Sequence, residues 1–359
     1  MHSSFVIIFM IVIEIPAPDF DLEKTLNSGQ VFHWEKIDNG FVGTIGNYAV
    51  YVEQGGDTLR ALTDGGAPAT PGSRRAAAPG SQELAPPIVE SVARYFALDH
   101  PLAEICASFP QDPVMNTARD FCRGLRIIRQ PKWECLATFI CSSMKQVAHI
   151  RQISAALRNS FGDQGKIGSH LIYTFPSPQR IARASENQLR KCKLGYRAKN
   201  LRATARLVSS GKCDLEAWSA LSDANLREKL CALPGVGAKV ANCVMLFAYE
   251  RLRAFPIDVW IERILRQQYF PRRKKVTGLR LREFSETYFG EHGGYAQQYL
   301  FHHARTALRK PGLSRDSSTP KAFGARNDKR RNERRGDSKR RSRNRKALAG
   351  QVVSPAGLG

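Results

Sequence analysis

The fold is decided by the stretch Leu233-Pro234-Gly235-Val236-Gly237-Ala238-Lys239-Val240-Ala241, which joins helical patterns over residues 226–233 and 238–249. Glycine lets a backbone turn sharply and approach a ligand closely, so Gly235 and Gly237 predict a tight hairpin between two helices. Amide groups of the hairpin and of the next helix's first turn lack partners within that helix and would bind an anion such as a DNA phosphate. An ordinary connection between two helices fits the same residues.

Lys239 lies in the first turn of the second predicted helix. The helix macrodipole disfavours a positive charge there, which favours the neutral amine, a nucleophile that can form a Schiff base. Lys239 and Cys243 are four residues apart and therefore share a helix face. The core face of the same helix is predicted to consist of Val240, Ala241, Val244, Phe247 and Ala248. From position alone, a lysine that binds phosphate is the alternative.

A carboxylate follows nineteen residues later, at Asp258 in Phe255-Pro256-Ile257-Asp258-Val259-Trp260. The proline before it and the apolar helical pattern after it predict that Asp258 is a helix N-cap. We expect the helix amides to keep this carboxylate ionised and to point it into the cleft between two helices. Capping alone is the alternative role for this residue.

The composition indicates a nucleic-acid partner. The 359 residues carry a formal net charge of +23 and a sequence pI near 10.0, which favours a polyanion. Residues 315–346 include 14 basic and 4 acidic residues, and the remainder of the chain still carries +13. This basic tail is predicted to be disordered from Gly312 onward. Two interpretations of this tail are open. It is a segment that tethers DNA or directs the protein to a nucleus, or it is only a solubilising appendage.

The cysteines and the N-terminus bear on cofactors and location. Eight cysteines occur without a Cys-x-x-Cys pair, and no histidine pair has zinc-site spacing, so no structural metal is expected. The apolar run at residues 5–13 is too short to span a bilayer and lacks the basic segment of a signal peptide. It is an edge strand or extra residues from an upstream start codon. We expect an intracellular monomer without a membrane partner, in the bacterial cytoplasm or, if eukaryotic, the nucleus.

The pattern along the chain predicts an α+β fold in three parts. An N-terminal antiparallel β-sheet domain with flanking helices covers 1–124, an all-α domain covers 125–311, and the disordered basic tail covers 312–359. Strands are predicted at 30–34, 41–45 and 49–52, with a mobile loop at 63–87. Helices are predicted at 88–97, 114–124, 133–142, 147–157, 200–208, 226–233, 238–249 and 259–269, together with a short helix capped by Ser185 and Gln188 that ends at Gly195.

The Gly-Val-Gly hairpin, the lysine two residues after it and the following Pro-x-Asp together resemble the helix-hairpin-helix DNA glycosylase superfamily. Within it, the chain is similar to the 8-oxoguanine DNA glycosylases from about residue 26 to 305. Further blocks that carry the similarity lie at 27–34, 139–143, 193–198, 296–297 and 300–301. The resemblance implies an enzyme that flips 8-oxoguanine out of duplex DNA, excises it and cleaves the resulting abasic site without a cofactor.

The resemblance also implies a role for each matched residue in the base pocket. Lys239 attacks C1′ of the deoxyribose, and Asp258 stabilises the positive charge that develops on the sugar. The Gly29 carbonyl accepts the N7 hydrogen that 8-oxoguanine has and guanine lacks. The remaining pocket residues are Cys243 and Phe301 on the two faces of the base, Gln297 at its Watson–Crick edge, and Pro256.

Contacts with the DNA follow from the same resemblance. Tyr196 is implied as the wedge that enters the base stack, with Arg197 beside it. Further DNA contacts are implied at Lys145, Gln146, His149, Gly235, Gly237, Val240 and Trp260. Position alone gives several residues ordinary roles: Phe301 in the core, Tyr196 at a helix start, Gln297 on the surface and Gly29 at a strand bend.

The chain departs from the family pattern at three places. Met144-Lys145-Gln146 stands where better-known members have asparagines, His149 stands for an arginine, and Trp260 stands for a histidine. The first two places face the opposite base in the family, so a preference for cytosine is not carried over. No four-cysteine cluster follows Asp258, unlike the iron–sulfur branches, and the alkylpurine branch lacks the lysine. The alternatives are a non-catalytic DNA-binding module, in which Lys239 only binds phosphate, and another base specificity.

Overall fold

The N-terminal part of the chain forms a five-stranded antiparallel sheet. The structure is a computed structural model that describes residues 11–63, 85–273 and 275–307. The strands of this sheet are β1 (Ile11–Pro16), β2 (Glu35–Ile37), β3 (Gly40–Ile45), β4 (Tyr48–Gly55) and β5 (Thr58–Thr63). Their order is β1-β5-β4-β3-β2, so β1 is an edge strand. Residues 11–13 of the apolar run lie in this edge strand, which favours the first of the two alternatives for them, and residues 1–10 lie outside the described part.

The strands predicted at 41–45 and 49–52 are confirmed as β3 and β4, but the strand predicted at 30–34 is wrong. The side chain of Gln30 is fully buried there. Its Nε2 donates to the Arg126 carbonyl at 2.8 Å, and its Oε1 accepts from the Ile128 amide at 2.7 Å. These side-chain hydrogen bonds hold the segment in an irregular conformation, because they bind it to the 126–128 segment without strand pairing.

The helices follow in chain order and account for most of the remaining described residues. They are α1 (Leu22–Asn27), α2 (Ala85–Tyr95), α3 (Leu102–Ala107), α4 (Pro113–Phe121), α5 (Lys132–Ser142), α6 (Val147–Phe161), α7 (Pro178–Arg183), α8 (Glu186–Leu189), α9 (Arg197–Ser209), α10 (Asp223–Cys231), α11 (Ala238–Tyr249), α12 (Val259–Ile264), α13 (Gly278–Tyr288) and α14 (Gly293–Ala307). π-helical turns at Arg190–Leu194 and Leu265–Tyr269 extend α8 and α12. A small hairpin, β6 (Gln164–Ile167) with β7 (His170–Tyr173), follows α6.

The nine predicted helices are present, and α11 has the predicted bounds. The sequence interpretation missed strands β2 and β5, the β6–β7 hairpin and five helices, α1, α3, α7, α13 and α14. The helix predicted from residue 88 begins at Ala85, because prolines at 86 and 87 fit a first helical turn, where no amide hydrogen is needed. Residues 64–84 of the predicted loop and the whole predicted tail from 312 lie outside the described residues.

Two apolar cores organise the chain. The first lies between the sheet and helices α1 and α2, where the Trp34 indole donates to the Tyr95 hydroxyl at 3.0 Å. The second lies among the helices from α3 to α14. At its centre α5 is buried on all sides from residue 134 to 142, and the Phe139 ring stacks on Phe247 of α11 with centroids 5.5 Å apart. Tight packing of α5 against α11 fixes the start of α11, which carries Lys239.

A buried charged network joins the sheet region to the helical region. The Glu134 carboxylate accepts from the Arg158 guanidinium and lies 3.3 Å from His33 Nδ1. Arg158 also donates to the Thr44 hydroxyl at 2.8 Å, and His33 Nε2 lies 2.9 Å from the Thr44 carbonyl oxygen. Burial lowers the pKa of His33, and the positive charge of Arg158 lowers it further. His33 is therefore neutral, and the ion pair is Glu134–Arg158.

In the ranges 11–63, 85–273 and 275–307, no helix has the length and apolar character that crossing a membrane requires. The eight cysteines all lie within these ranges and are free thiols. The same ranges contain no group of three or more His, Cys, Asp or Glu side chains placed to hold a metal ion.

Candidate active site

The hairpin predicted from the glycines is present between α10 and α11. Gly235 has φ +83°, and a Cβ there would lie 2.8 Å from the Cβ of Asn200, so this position requires glycine. Gly237 is the N-cap of α11, and no side chain among the described residues caps this helix end. Both glycines are exposed. The amides at the start of α11 are therefore open to an anion from solvent.

Lys239 is half-buried in the first turn of α11, against the end of α5. Its Nζ donates to the Ser142 hydroxyl at 3.3 Å and lies 5.1 Å from the centroid of the Phe139 ring. One turn later Cys243 is buried, and burial raises the pKa of its thiol despite the neighbouring Lys239 charge. Cys243 is therefore an uncharged neighbour of the amine.

Asp258 is the N-cap of α12, as predicted, and its Oδ1 accepts from the Ile261 amide at 2.8 Å. Burial and capping act in opposite directions on the pKa of this carboxyl. Burial raises its pKa above the usual range, and the lowering by the Ile261 hydrogen bond and by the Lys239 charge offsets only part of that rise. The carboxyl lies in a desolvated position beside a cation.

Lys239 and Asp258 line one cavity of about 320 Å³, which lies at the small end of the range typical of ligand sites. Its wall is formed by Gly29, Phe32, Phe139, Ser142, Lys145, Gln146, Val147, Ile150, Lys239, Asp258, Trp260, Phe301 and Arg305. The structure thus brings together the two predicted catalytic residues and two predicted base-pocket residues, Gly29 and Phe301. These come from the hairpin, α12, the segment after α1, and α14.

Gly29 is in an irregular segment and not at a strand bend. Its φ is +89°, and a Cβ there would lie 3.1 Å from Phe301 Cε1 and 2.9 Å from Arg305 Nη1. The backbone of Gly29 is therefore packed directly against these two side chains of α14. Any larger residue would be strained by its φ and would also displace them.

Three other predicted pocket residues are buried but do not belong to the described wall of this cavity: Cys243, Pro256 and Gln297. Gln297 is 4% exposed, so its predicted alternative as a surface residue is wrong. Its side-chain oxygen has no hydrogen-bond partner among the described residues. A buried amide oxygen without a partner is costly unless a ligand completes it.

The predicted DNA contacts divide into exposed and buried side chains. Lys145 and Gln146 are exposed in the cavity wall, His149 is exposed but does not belong to the described wall, and Tyr196 is 62% exposed. The Val240 side chain is buried, so only its backbone amide remains for a ligand. Trp260 lies in the cavity wall, and its ring contacts the Arg263 guanidinium at 5.6 Å.

Arg197 is buried, at 5% exposure of the residue, and its guanidinium is already bonded within the protein. Its Nε donates to the Ser143 carbonyl at 2.8 Å, and its Nη2 donates to the same oxygen. The guanidinium also lies 4.4 Å from the centroid of the Tyr196 ring. Arg197 therefore holds two neighbouring surface features, the turn at 143–144 and the Tyr196 ring.

Sequence reasoning missed several wall residues as site residues. Phe139 and Ser142 belong to the quoted 139–143 block, so their signal was present but was assigned to the helix core. Arg305 had no sequence signal, because α14 was not predicted and a single arginine near a basic tail is unremarkable in composition. Its place in the wall follows only from the contact of α14 with the Gly29 segment.

Two family models match the chain. The N-terminal domain of 8-oxoguanine DNA glycosylase matches residues 12–136, and the HhH-GPD superfamily of base excision DNA repair proteins matches residues 137–287. The N-glycosylase/DNA lyase OGG1 of Arabidopsis thaliana is 30% identical over 297 residues, which are 79% of this chain and 77% of the relative. The chain belongs to the family of 8-oxoguanine DNA glycosylases.

Solved structures agree with this family assignment. This glycosylase is 31% identical to MBOgg1 in complex with a low-affinity DNA ligand, with a TM-score of 0.73 over 84% of this chain and 96% of that one. It is 27% identical to the Clostridium acetobutylicum 8-oxoguanine glycosylase/lyase in complex with DNA containing cytosine opposite 8-oxoG, with a TM-score of 0.71 over 83% and 98%. The predicted family, fold class, enzyme class and DNA partner are thereby confirmed.

Proposed function

We propose that this enzyme excises 8-oxoguanine from duplex DNA and then cleaves the abasic site, acting as a monomer. The observation that carries the proposal is the shared cavity of Lys239, Asp258 and Gly29. A lysine, an aspartate and a glycine reach this cavity from three separate segments of the chain. The base must leave the DNA double helix to reach such a cavity, because a half-buried amine cannot reach the sugar of a nucleotide that is still stacked in the duplex.

In the first step the Lys239 lone pair forms a bond to C1′ of the deoxyribose. The C1′–N9 bond breaks, and its electron pair leaves with N9, which then takes a proton. Positive charge develops on the sugar as the base departs, and the Asp258 carboxylate stabilises it from a desolvated position. The Ser142 hydroxyl, 3.3 Å from Nζ, orients the amine toward the cavity.

In the second step the C1′–O4′ bond breaks, and O4′ takes the electron pair together with a proton from the lysine nitrogen. This leaves a Schiff base between Lys239 and C1′. Loss of a proton from C2′ then expels the 3′ phosphate by β-elimination. Both steps use the same amine, so excision and strand cleavage depend on Lys239 in common.

The base is recognised by groups on the opposite side of the cavity. The Gly29 carbonyl accepts the N7 hydrogen, and the Phe301 ring packs on one face of the base. Gln297, whose side-chain oxygen has no partner among the described residues, would bind the Watson–Crick edge from behind the described wall. Guanine has no hydrogen on N7, so it would leave the Gly29 carbonyl without this hydrogen bond.

The surface around the cavity supports duplex binding. The open amides after Gly237 suit a phosphate, Lys145 and Gln146 are exposed in the cavity wall, and His149 is exposed on the protein surface. Tyr196 and Met144 project as exposed apolar side chains, at 62% and 79%. Tyr196 fits the role of wedge, and the basic residues at 315–346 would add salt-sensitive affinity for any DNA sequence.

Borohydride trapping tests the proposal. The wild type should form a covalent adduct with a duplex that contains 8-oxoguanine, whereas the Lys239→Gln variant should form none, because only a Schiff base is reduced to a stable bond. No adduct from either protein would favour a non-catalytic DNA-binding module. Adducts with uracil, thymine glycol or an alkylpurine but not with 8-oxoguanine would contradict the substrate assignment. Duplexes with each base opposite the lesion then measure the opposite-base preference.

A further inference from the structure

Arg305 places a positive charge in the wall of the catalytic cavity. It lies near the end of α14, and its Nη2 donates to the carbonyl oxygen of Asn27, two residues before Gly29. Its guanidinium is 5.4 Å from the centroid of the Phe301 ring, and its Nη1 is 2.9 Å from the position of a Cβ on Gly29. A cationic hydrogen-bond donor is therefore held beside the backbone of Gly29.

This arrangement complements one edge of an oxidised purine. In 8-oxoguanine the N7–H donor and the C8=O acceptor are adjacent, whereas guanine has an N7 acceptor and a C8–H. A carbonyl acceptor and a guanidinium donor side by side would complement both N7–H and C8=O of 8-oxoguanine. They would complement neither N7 nor C8–H of guanine. We propose that Arg305 donates a hydrogen bond to the C8 oxygen of the flipped base while the Gly29 carbonyl accepts from N7–H. This inference rests on the proposed function.

The same contact acts on the leaving group. When the C1′–N9 bond breaks, the electron pair that leaves with N9 spreads over C8 and its oxygen. The guanidinium beside that oxygen stabilises the departing anion, since a charged donor bonds more strongly to an oxygen as its negative charge grows. Arg305 is thus a specificity-determining residue whose removal lowers the excision rate under saturating enzyme and does not only weaken binding.

Arg151 of α6 provides a matched control. Its Nη2 donates to the Asn27 side-chain oxygen at 2.9 Å, so both arginines anchor the residue two positions before Gly29. Only Arg305 belongs to the described wall of the catalytic cavity. The Arg151→Met variant therefore removes an anchor of this segment without removing the donor beside Gly29.

The experiment measures single-turnover excision by the full chain with two lesions, 8-oxoguanine and 8-thioguanine. The second lesion keeps N7–H but replaces the C8 oxygen with sulfur, which is a weak acceptor. Arg305→Met should slow excision of 8-oxoguanine by roughly 10- to 100-fold, the range for losing a bond from a charged donor. It should change excision of 8-thioguanine much less, and Arg151→Met should affect both lesions equally.

Cleavage of a preformed abasic site separates this role from a folding defect. That reaction needs Lys239 but no base, so Arg305→Met should retain it. Equal losses on both lesions, or no loss on 8-oxoguanine, would overturn the inference. If Arg305→Met loses abasic-site cleavage, the Arg305→Lys variant, which keeps a charged donor, replaces it in the comparison. Arg305→Lys should retain more activity on 8-oxoguanine than on 8-thioguanine. Equal activities on the two lesions would overturn the inference. Failure of the wild type to excise 8-oxoguanine would instead contradict the proposed function.

Discussion

The two sides of the cavity are built in different ways. The proposed catalytic side, Lys239 and Asp258, consists of residues at the starts of two helices, nineteen positions apart and each preceded by helix-initiating residues. The recognition side, Gly29, Phe301 and Arg305, joins an irregular segment to the last described helix, more than 270 residues later. Local sequence therefore determines the chemistry, whereas recognition depends on the tertiary fold.

The largest expected effect distinguishes the two sides of the cavity by which of two activities, base excision or abasic-site cleavage, each substitution lowers. Lys239→Gln should lower both excision of 8-oxoguanine and cleavage of a preformed abasic site by roughly 10³-fold or more, because both need the amine. Phe301→Ala should lower excision but leave abasic-site cleavage close to the wild-type rate. Single-turnover kinetics on the two substrates measures this, and a parallel loss of both activities in Phe301→Ala would erase the distinction.

The next largest effect concerns the network that joins the two sides. Glu134 lies on α5, which positions Lys239, and it contacts His33 shortly after Gly29. Glu134→Gln should lower the free energy of unfolding by about 3–5 kcal/mol, because it leaves the buried Arg158 charge without its counterion. Urea unfolding monitored by circular dichroism measures this loss.

An exposed ion pair gives the control for that variant. Glu262 pairs with Arg266 at 2.7 Å with both side chains more than a third exposed, so Glu262→Gln should change the stability by less than about 1 kcal/mol. Similar losses in the two variants would mean that burial does not determine the contribution of the Glu134–Arg158 pair.

A smaller effect is expected at Gly29. Gly29→Ala should cost about 1–3 kcal/mol of stability from the strained φ and should also slow excision, since the new methyl group displaces Phe301 and Arg305. Gly46 also has a positive φ, +58°, but an added Cβ there has nothing within 4 Å. Gly46→Ala should therefore lose stability without losing activity. Equal excision rates in the two variants would contradict the assignment of Gly29 to the recognition side.

The features that could be predicted from the sequence are those that depend on local residues, and the features that depend on tertiary contacts were missed. The hairpin, the bounds of α11 and the Asp258 cap were predictable because each depends on residues within a few positions. The strand at 30–34 was wrong because the bonding of the Gln30 side chain to the 126–128 segment is invisible in a local pattern. Arg305 and the bonded state of Arg197 were missed for the same reason. The functions given to Gly29, Cys243 and Gln297 came from the family resemblance and remain predictions.

The smallest expected effect is a pH dependence at the far end of α11. Hydrogen bonds from His100 and Arg129 lower the pKa of Glu250 to about 2, and Glu250 ends the helix that begins with Lys239. A lowered pKa means that its contribution to stability is fully present above the usual carboxyl range and is lost as the pH falls toward 2. Because Glu250 is 35% exposed, we expect less than about 1 kcal/mol.

Comparison of the wild type with Glu250→Gln measures this contribution. The difference in unfolding free energy should be largest at neutral pH and should shrink as the pH is lowered through the acid range. A difference that stays constant with pH would show that the Glu250 charge does not stabilise the end of α11.

The bonding of Arg197 has a consequence for the entropy of DNA binding. One guanidinium holds the Ser143 carbonyl and the Tyr196 ring in the free protein, and Met144 follows directly with φ +57°. Little conformational freedom therefore remains to be lost at this surface when a duplex arrives. For the proposed wedge role of Tyr196, this surface is preorganised, and we expect the main cost of complex formation at this point to be distortion of the nucleic acid.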